Sequence, residues 1–155
     1  MYASKKILFA TDYSASTDEI LTYAASLARE KGASLLITHV SRLEPYPIGE
    51  LFDDEPEPCD AEVAELDAIA PPDPGLPCEH RLLYGDPAEE IVKLADQECV
   101  DAIVLGTRRH SGLARLFGGG VADKVKRAAH CPVYVYRGHD GQRPTNVAHA
   151  RAATR

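Results

Sequence analysis

The 155-residue sequence contains no apolar run near the roughly 20 residues that a membrane-crossing helix requires. Its first residues, Met1-Tyr2-Ala3-Ser4-Lys5-Lys6, lead into a short strand pattern rather than the apolar core of a signal peptide. A cytoplasmic protein that does not engage a membrane is therefore expected. The four cysteines form no C-x-x-C pair, and no histidine lies at zinc-ligand spacing from any of them, which leaves no metal site or disulfide framework to predict. Cys99 and Cys131 fall beside apolar strands and read as small hydrophobes, whereas Cys59 and Cys78 lie in or near a loop. Also missing are G-x-x-x-x-G-K-[ST], G-x-G-x-x-G and G-x-S-x-G. His110 and Ser111 are adjacent on a loop with no orienting carboxylate in view, so they do not read as a base and a nucleophile. His80 and His130 lack acidic or histidine partners at ligand spacing.

Positive charge is absent from one whole stretch. Residues 44–79 hold twelve acidic side chains and no Lys or Arg, leaving seventeen basic against twelve acidic residues elsewhere, a net of +5. The overall charge of −7, with no basic stripe interleaved with aromatics, argues against nucleic acid as a partner. Eight of the eleven prolines fall within 41–77, which reads as an acidic, proline-rich surface insertion or a loop that recruits a protein partner. Within it only residues 60–70 carry a helical pattern, with Val63, Leu66 and Ile69 in register before Pro71-Pro72.

Outside that stretch, strand and helix patterns alternate. Residues 6–11 read as a strand and are followed by a helix with Ser16 and Glu19 at capping-box spacing; Ile20, Ala24, Leu27 and Ala28 form its apolar stripe and Gly32 its stop. Residues 34–40 form a strand too continuously apolar to be half exposed. Residues 79–84 read as a third strand, then Asp86, Pro87 and Glu89 supply N-cap, N1 and N3 of a helix whose inner face is Ile91, Val92 and Ala95. A strand at 101–105, a helix at 119–130 with Val121, Val125, Ala128 and Ala129 on one face, and a strand at 132–136 complete the pattern. The expectation is a single α/β domain over 1–137, with a five-stranded parallel sheet flanked by helices, and a flexible tail over 138–155. Ligands of such sheets bind at the carboxyl ends of strands, where the strand order switches.

The most distinctive segment begins at such an end. It runs Leu105-Gly106-Thr107-Arg108-Arg109-His110 and closes on Gly118-Gly119-Gly120-Val121, at the start of a helix. Glycines let backbone N–H groups approach an anion closely, a helix N-terminus adds about half a positive charge, and Arg108 and Arg109 supply guanidinium groups. His39, at an apolar strand end, is either a packing residue or a group lining the site.

Four blocks in this order, K-K-I-L-F-A-T-D-Y-S, L-L-I-T-H-V, Y-G-D-P-A-E-E-I and the segment from Val100 to Arg137, resemble the universal stress protein family. The resemblance spans about Lys5 to Arg137. It implies a Rossmann-like fold of the adenine nucleotide alpha hydrolase type, a homodimer often formed through the last strand, and in many members bound ATP, with Mg2+ as its companion ion. It further implies that Asp12 lies by the ribose, that Ala10 and Val40 flank the base, and that Val121 follows the phosphate-binding glycines. Nucleotide-binding members carry Gly, two residues, Gly, nine residues, then Gly and Ser or Thr. Gly106 and Gly119 match the first and third glycines, but Arg109 stands at the second and Gly120 at the hydroxyl position.

The implied function is an adenine-nucleotide-binding regulatory protein of the stress response without robust catalysis. The alternative is a nucleotide-free dimeric adaptor whose phosphate site is filled by Arg109. Asp12 could instead cap the helix that follows it, and Val40 could serve core packing alone.

Overall fold

The computed structural model describes residues 4–14, 16–41, 60–106 and 120–136. In chain order the elements are β1 (Lys6–Ala10), α1 (Thr17–Lys31), β2 (Ser34–Ser41), α2 (Asp60–Asp67), β3 (Cys78–Tyr84), α3 (Pro87–Gln97), β4 (Ala102–Gly106), α4 (Val121–Ala128) and β5 (Val133–Tyr136). All strand pairs are parallel, and the sheet order is β3-β2-β1-β4-β5. The expected five-stranded parallel α/β architecture is present. The tail over 138–155 and residues 42–59 of the acidic stretch lie outside the described residues.

Both faces of this sheet are covered, which is why its strands are continuously apolar. Ile7, Phe9, Leu35, Ile37 and Val104 pack with α1 and with Leu66 of α2 on one side. Leu8, Leu36, Ile103, Leu105, Val133 and Val135 pack with α3 and α4 on the other. Ile7, Leu8 and Phe9 are completely buried, and burying each stabilises the fold by about 1.5–3 kcal/mol.

Local signals mostly set the element ends. Gly32 adopts φ 62° and closes α1, with its N–H directed at the carbonyls of Ala28 and Arg29. Asp86 caps α3 by accepting the Glu89 N–H at 3.1 Å, with Pro87 at the first helical position. Ser16 stands at the N-cap of α1, but the expected capping box does not form there: its backbone is helical and its side chain caps no N–H. The helix start is instead tied to the preceding loop, where Thr17 N–H donates to the Ser14 carbonyl at 3.0 Å.

Three further expectations change. Parts of the 41–77 stretch belong to the core layer: its first residue, Ser41, ends β2, and in its second half Leu66 and Leu76 are buried. On α4, Val121, Val125 and the C-capping Ala129 pack inward as expected and Ala122 joins them, but Ala128 is exposed. Cys99 is exposed, at φ 49° just past α3, so it is not a core hydrophobe. Cys131 is half-buried, and burial pushes its thiol up to about 11.

The amino-terminal end of the sheet is tied by charge. Lys6 Nζ lies 2.8 Å from Glu98 Oε2 and 3.5 Å from Glu79 Oε1, while Arg81 Nη1 lies 2.9 Å from Glu98 Oε1. The hydrogen bond from Lys6, then that from Arg81, holds the Glu98 carboxyl below its usual range; the bond to Glu98 holds the Lys6 ammonium above its own. A carboxylate with a lowered folded-state pKa stabilises the protein above its unfolded pKa, and that stabilisation is lost as pH falls through the folded value. Lys6 contributes until pH rises through its raised value. Replacing Glu98 by Gln is therefore expected to lower Tm at neutral pH, with the gap to wild type closing as pH falls through the carboxylate range in thermal unfolding followed by circular dichroism. A gap independent of pH would exclude this ion network as its source.

Candidate functional site at the strand-order switch

β1 and β4 are neighbours, yet the chain leaves them toward opposite edges of the sheet. It proceeds from β1 to β2 on one side and from β4 to β5 on the other. The connections therefore diverge, and a crevice opens at the carboxyl ends of these two strands. Ala10, the last residue of β1, is in register with Leu105, and Gly106 follows on β4. Asp12 is exposed just beyond β1, Val40 is buried near the end of β2, and α4 begins at the same end of the sheet with Gly120 as its N-cap. The topology thus brings Ala10, Asp12, Val40, Gly106, Gly120 and Val121 to one end of the sheet. Arg108, Arg109 and Gly119 lie outside the described residues.

The glycines at the two ends of this segment differ in their physical role. At Gly106 an added Cβ would overlap Cδ1 of Ile20, so the absence of a side chain there serves close packing of α1 against β4. Gly120 has φ −59° and ψ 171°, a conformation open to any residue, and a Cβ there would meet nothing within 4 Å among the described residues. Its carbonyl accepts the N–H groups of Asp123 and Lys124. Backbone N–H groups at the start of a helix are suited to an anion, and the space beside Gly120 would admit the hydroxyl-bearing side chain that is absent here.

A dense set of contacts holds the loop that carries Asp12. Thr11 is buried, and its N–H donates to the Thr38 carbonyl at 2.9 Å. Its Oγ1 accepts the Tyr13 N–H at 3.1 Å and lies 3.0 Å from Thr17 Oγ1. Asp12 Oδ1 accepts the Ser14 N–H at 2.9 Å, an Asx turn within the loop rather than a cap on α1. Tyr13 occupies the left-handed region at φ 59° and packs on His39, with ring centroids 4.1 Å apart. His39 Nδ1 lies 2.8 Å from the Thr11 carbonyl; a carbonyl only accepts, so the proton of this bond is on Nδ1.

Beyond Tyr13, Ser41 Oγ donates to Glu62 Oε1 at 2.7 Å and ties α2 to the end of β2. Burial, and then the acidic side chains Glu65, Glu62 and Asp67 of α2, push the Tyr13 hydroxyl up to about 12. It stays neutral at physiological pH. The sequence leaves His39 open between packing and lining the site, and nothing in it marks Thr11, Tyr13 or Thr17. No local signal marks an aromatic residue for the left-handed region, and the histidine that faces it comes from another strand.

Two histidines also have partners distant in sequence. His80 Nε2 lies 2.6 Å from the Ile69 carbonyl, and His130 Nδ1 lies 3.1 Å from Asp96 Oδ1. Among the described residues, no three His, Cys, Asp or Glu side chains converge as a metal site. No described helix is long and apolar enough to cross a membrane.

A parallel, doubly covered α/β sheet with its crevice at the β1/β4 switch defines a class of ligand-binding folds. Within it, residues 3–137 match the universal stress protein family. The chain is 38% identical to a universal stress protein of Thermus aquaticus, over 86% of this chain and 98% of that one. It is 32% identical to one of Methanocaldococcus jannaschii, over 86% of this chain and 82% of that one. The solved structure of an Archaeoglobus fulgidus universal stress protein in complex with dAMP is similar, with a TM-score of 0.62 and 28% identity, covering 86% of this chain and 98% of that one. This chain belongs to the universal stress protein family.

The contact at Gly106 gives a direct test. Gly106→Ala is expected to destabilise the fold by about 1–3 kcal/mol through overpacking, and Ile20→Val, which removes the opposing Cδ1, is expected to recover most of that loss. Chemical denaturation of the two single variants and the double variant measures the coupling. Additive effects would rule out this contact as the reason for glycine at 106.

Proposed function

We propose that this chain is an adenine-nucleotide-binding regulatory protein of the stress response, dimeric and cytoplasmic, without robust catalysis. The observation that carries this reading is the strand-order switch between β1 and β4, with an exposed Asp12 just beyond β1 and the N-terminus of α4 at the same end of the sheet. A relative of the same fold was solved with dAMP, which supports an adenine nucleotide as the ligand. The residues present fit such a group: an exposed Asp12, a buried apolar Val40, a half-buried Ala10 and a Gly120 whose added Cβ would meet none of the described residues.

In this reading Asp12 accepts hydrogen bonds from ribose hydroxyls, for which a carboxylate is well suited. Ala10 and Val40 flank the base. Backbone N–H groups of Gly119, Gly120 and Val121 face the phosphates at the start of α4, with Gly106 at the end of β4 below them. Arg108 and Arg109 offset the phosphate charge, because a planar guanidinium suits phosphate oxygens. ATP is the proposed ligand. When bound it supplies the phosphate charge that recruits Mg2+, an ion that characteristically keeps several waters and is held largely by phosphates.

Dimerisation is proposed through β5. Val133 and Val135 are buried under α4, Tyr134 and Tyr136 pack with Tyr23 of α1, and among the described residues β5 pairs only with β4. An apolar edge of that kind is normally paired or covered.

The test is a thermal-shift titration of the full chain with ATP, ADP and AMP, with and without Mg2+. A ligand at a hundred times its Kd is expected to stabilise the folded state by about 2.7 kcal/mol. Asp12→Ala is expected to weaken binding by about tenfold or more, the range for a hydrogen bond to a charged group. No shift with any nucleotide at millimolar concentration would overturn the reading. A shift that appears only in Arg109→Gly would instead establish that the arginine fills the phosphate site. A monomer by light scattering at micromolar concentration would overturn the dimer.

A further inference from the structure

We infer that His39 and Tyr13 form a clamp that positions Asp12 and thereby sets the nucleotide affinity of the crevice; the affinity half of this inference rests on the nucleotide-binding reading above. Asp12 is exposed on a short loop, where its backbone would ordinarily be free to rotate. Here a single side chain from the neighbouring strand engages the residues on both sides of it. His39 Nδ1 is bonded at 2.8 Å to the carbonyl of Thr11, the oxygen of the peptide that enters Asp12. The His39 ring also packs at 4.1 Å against Tyr13, the residue that leaves Asp12.

The conformation held in this way is not one the loop would choose unaided. Tyr13 stands at φ 59°, a region that bulky L residues avoid, and such a conformation persists only where surrounding contacts over-determine it. Those contacts are identifiable: the imidazole face, the Thr11 Oγ1 that accepts the Tyr13 N–H, and burial of the phenol beside α2. The left-handed turn at Tyr13 brings the Ser14 N–H within 2.9 Å of Asp12 Oδ1, which orients the carboxylate. His39 is a positioning residue in this scheme and touches no ligand. Its neighbour Val40 is one of the residues proposed to flank the base, so the strand that supports the base also fixes the acid on the ribose side.

Loss of the Nδ1–H donor to the Thr11 carbonyl should release the turn and let the Asp12 carboxylate move. Asparagine can still offer an N–H near the position of Nδ1, whereas leucine fills space without donating. The experiment uses the full chain and isothermal titration with AMP on wild type, His39→Leu, His39→Asn, Asp12→Ala and the double variant His39→Leu/Asp12→Ala. Amide exchange at Tyr13 and Ser14 is measured by NMR without nucleotide.

We expect His39→Leu to weaken AMP binding about tenfold, His39→Asn to stay within about threefold of wild type, and His39→Leu to add little once Asp12 is alanine. Exchange at Tyr13 and Ser14 should be faster in His39→Leu than in wild type. A loss of equal size in both Asp12 backgrounds would mean that His39 acts by general destabilisation, and unchanged exchange would mean that it does not hold the turn. Either result overturns the clamp. If His39→Leu does not fold, Tyr13→Ala takes its place in the same cycle with the same two outcomes. A wild-type chain that binds no AMP at millimolar concentration overturns the nucleotide reading and the affinity half of this inference together, and the exchange comparison then decides whether the clamp exists.

Discussion

Complete burial of the β1 core residues organises this molecule. Ile7, Leu8 and Phe9 are inaccessible to solvent, with β2 and β4 paired along the two edges of the strand and helices over both of its faces. A strand in that position has only its ends available for function. Because the chain departs from β1 and from β4 toward opposite edges, the carboxyl end is where the covering layers separate. Asp12 follows directly from this: it is the second residue after β1, placed where a buried strand first meets solvent.

That arrangement also explains why the loop after β1 is so heavily bonded. A polar backbone leaving the centre of a sheet must satisfy its N–H and C=O groups before it reaches water. Thr11 meets this need with a backbone bond to β2 and a side-chain bond within the loop, and His39 satisfies its carbonyl. The left-handed Tyr13 lets the turn close inside four residues. What satisfies the backbone is therefore the same set of contacts that fixes the exposed acid, so core packing and the geometry of the candidate site are not separable here.

Much of the architecture was legible because periodicity and cap chemistry are local. The predominantly apolar runs at residues 7–10, 34–40 and 102–105 suit strands covered on both faces, which indicates a parallel sheet. Gly32 and the Asp86-Pro87-Glu89 step act within one helical turn of where they stand, and the structure uses them as expected. Ser16 misled because its backbone is helical at a position where a capping side chain needs an extended one. Leu66 and Leu76 were hard to place for another reason: they are isolated apolar residues in an acidic, proline-rich context, and only the sheet surface they cover reveals their burial.

The class of fold, the order of its elements and the family follow from the amino-acid order alone, because they rest on patterns spread along the chain. The sequence also brings forward Asp12 and the glycines as the residues to consider, since their chemical types are distinctive. What they contact follows from the folded arrangement. Gly106 makes room for Ile20 from a helix nearly 90 residues earlier in the chain, Gly120 needs no glycine conformation, and Asp12 is flanked by residues that His39 holds from another strand. Such contacts join segments far apart in sequence, and they exist only once burial of the central strand has brought those segments together.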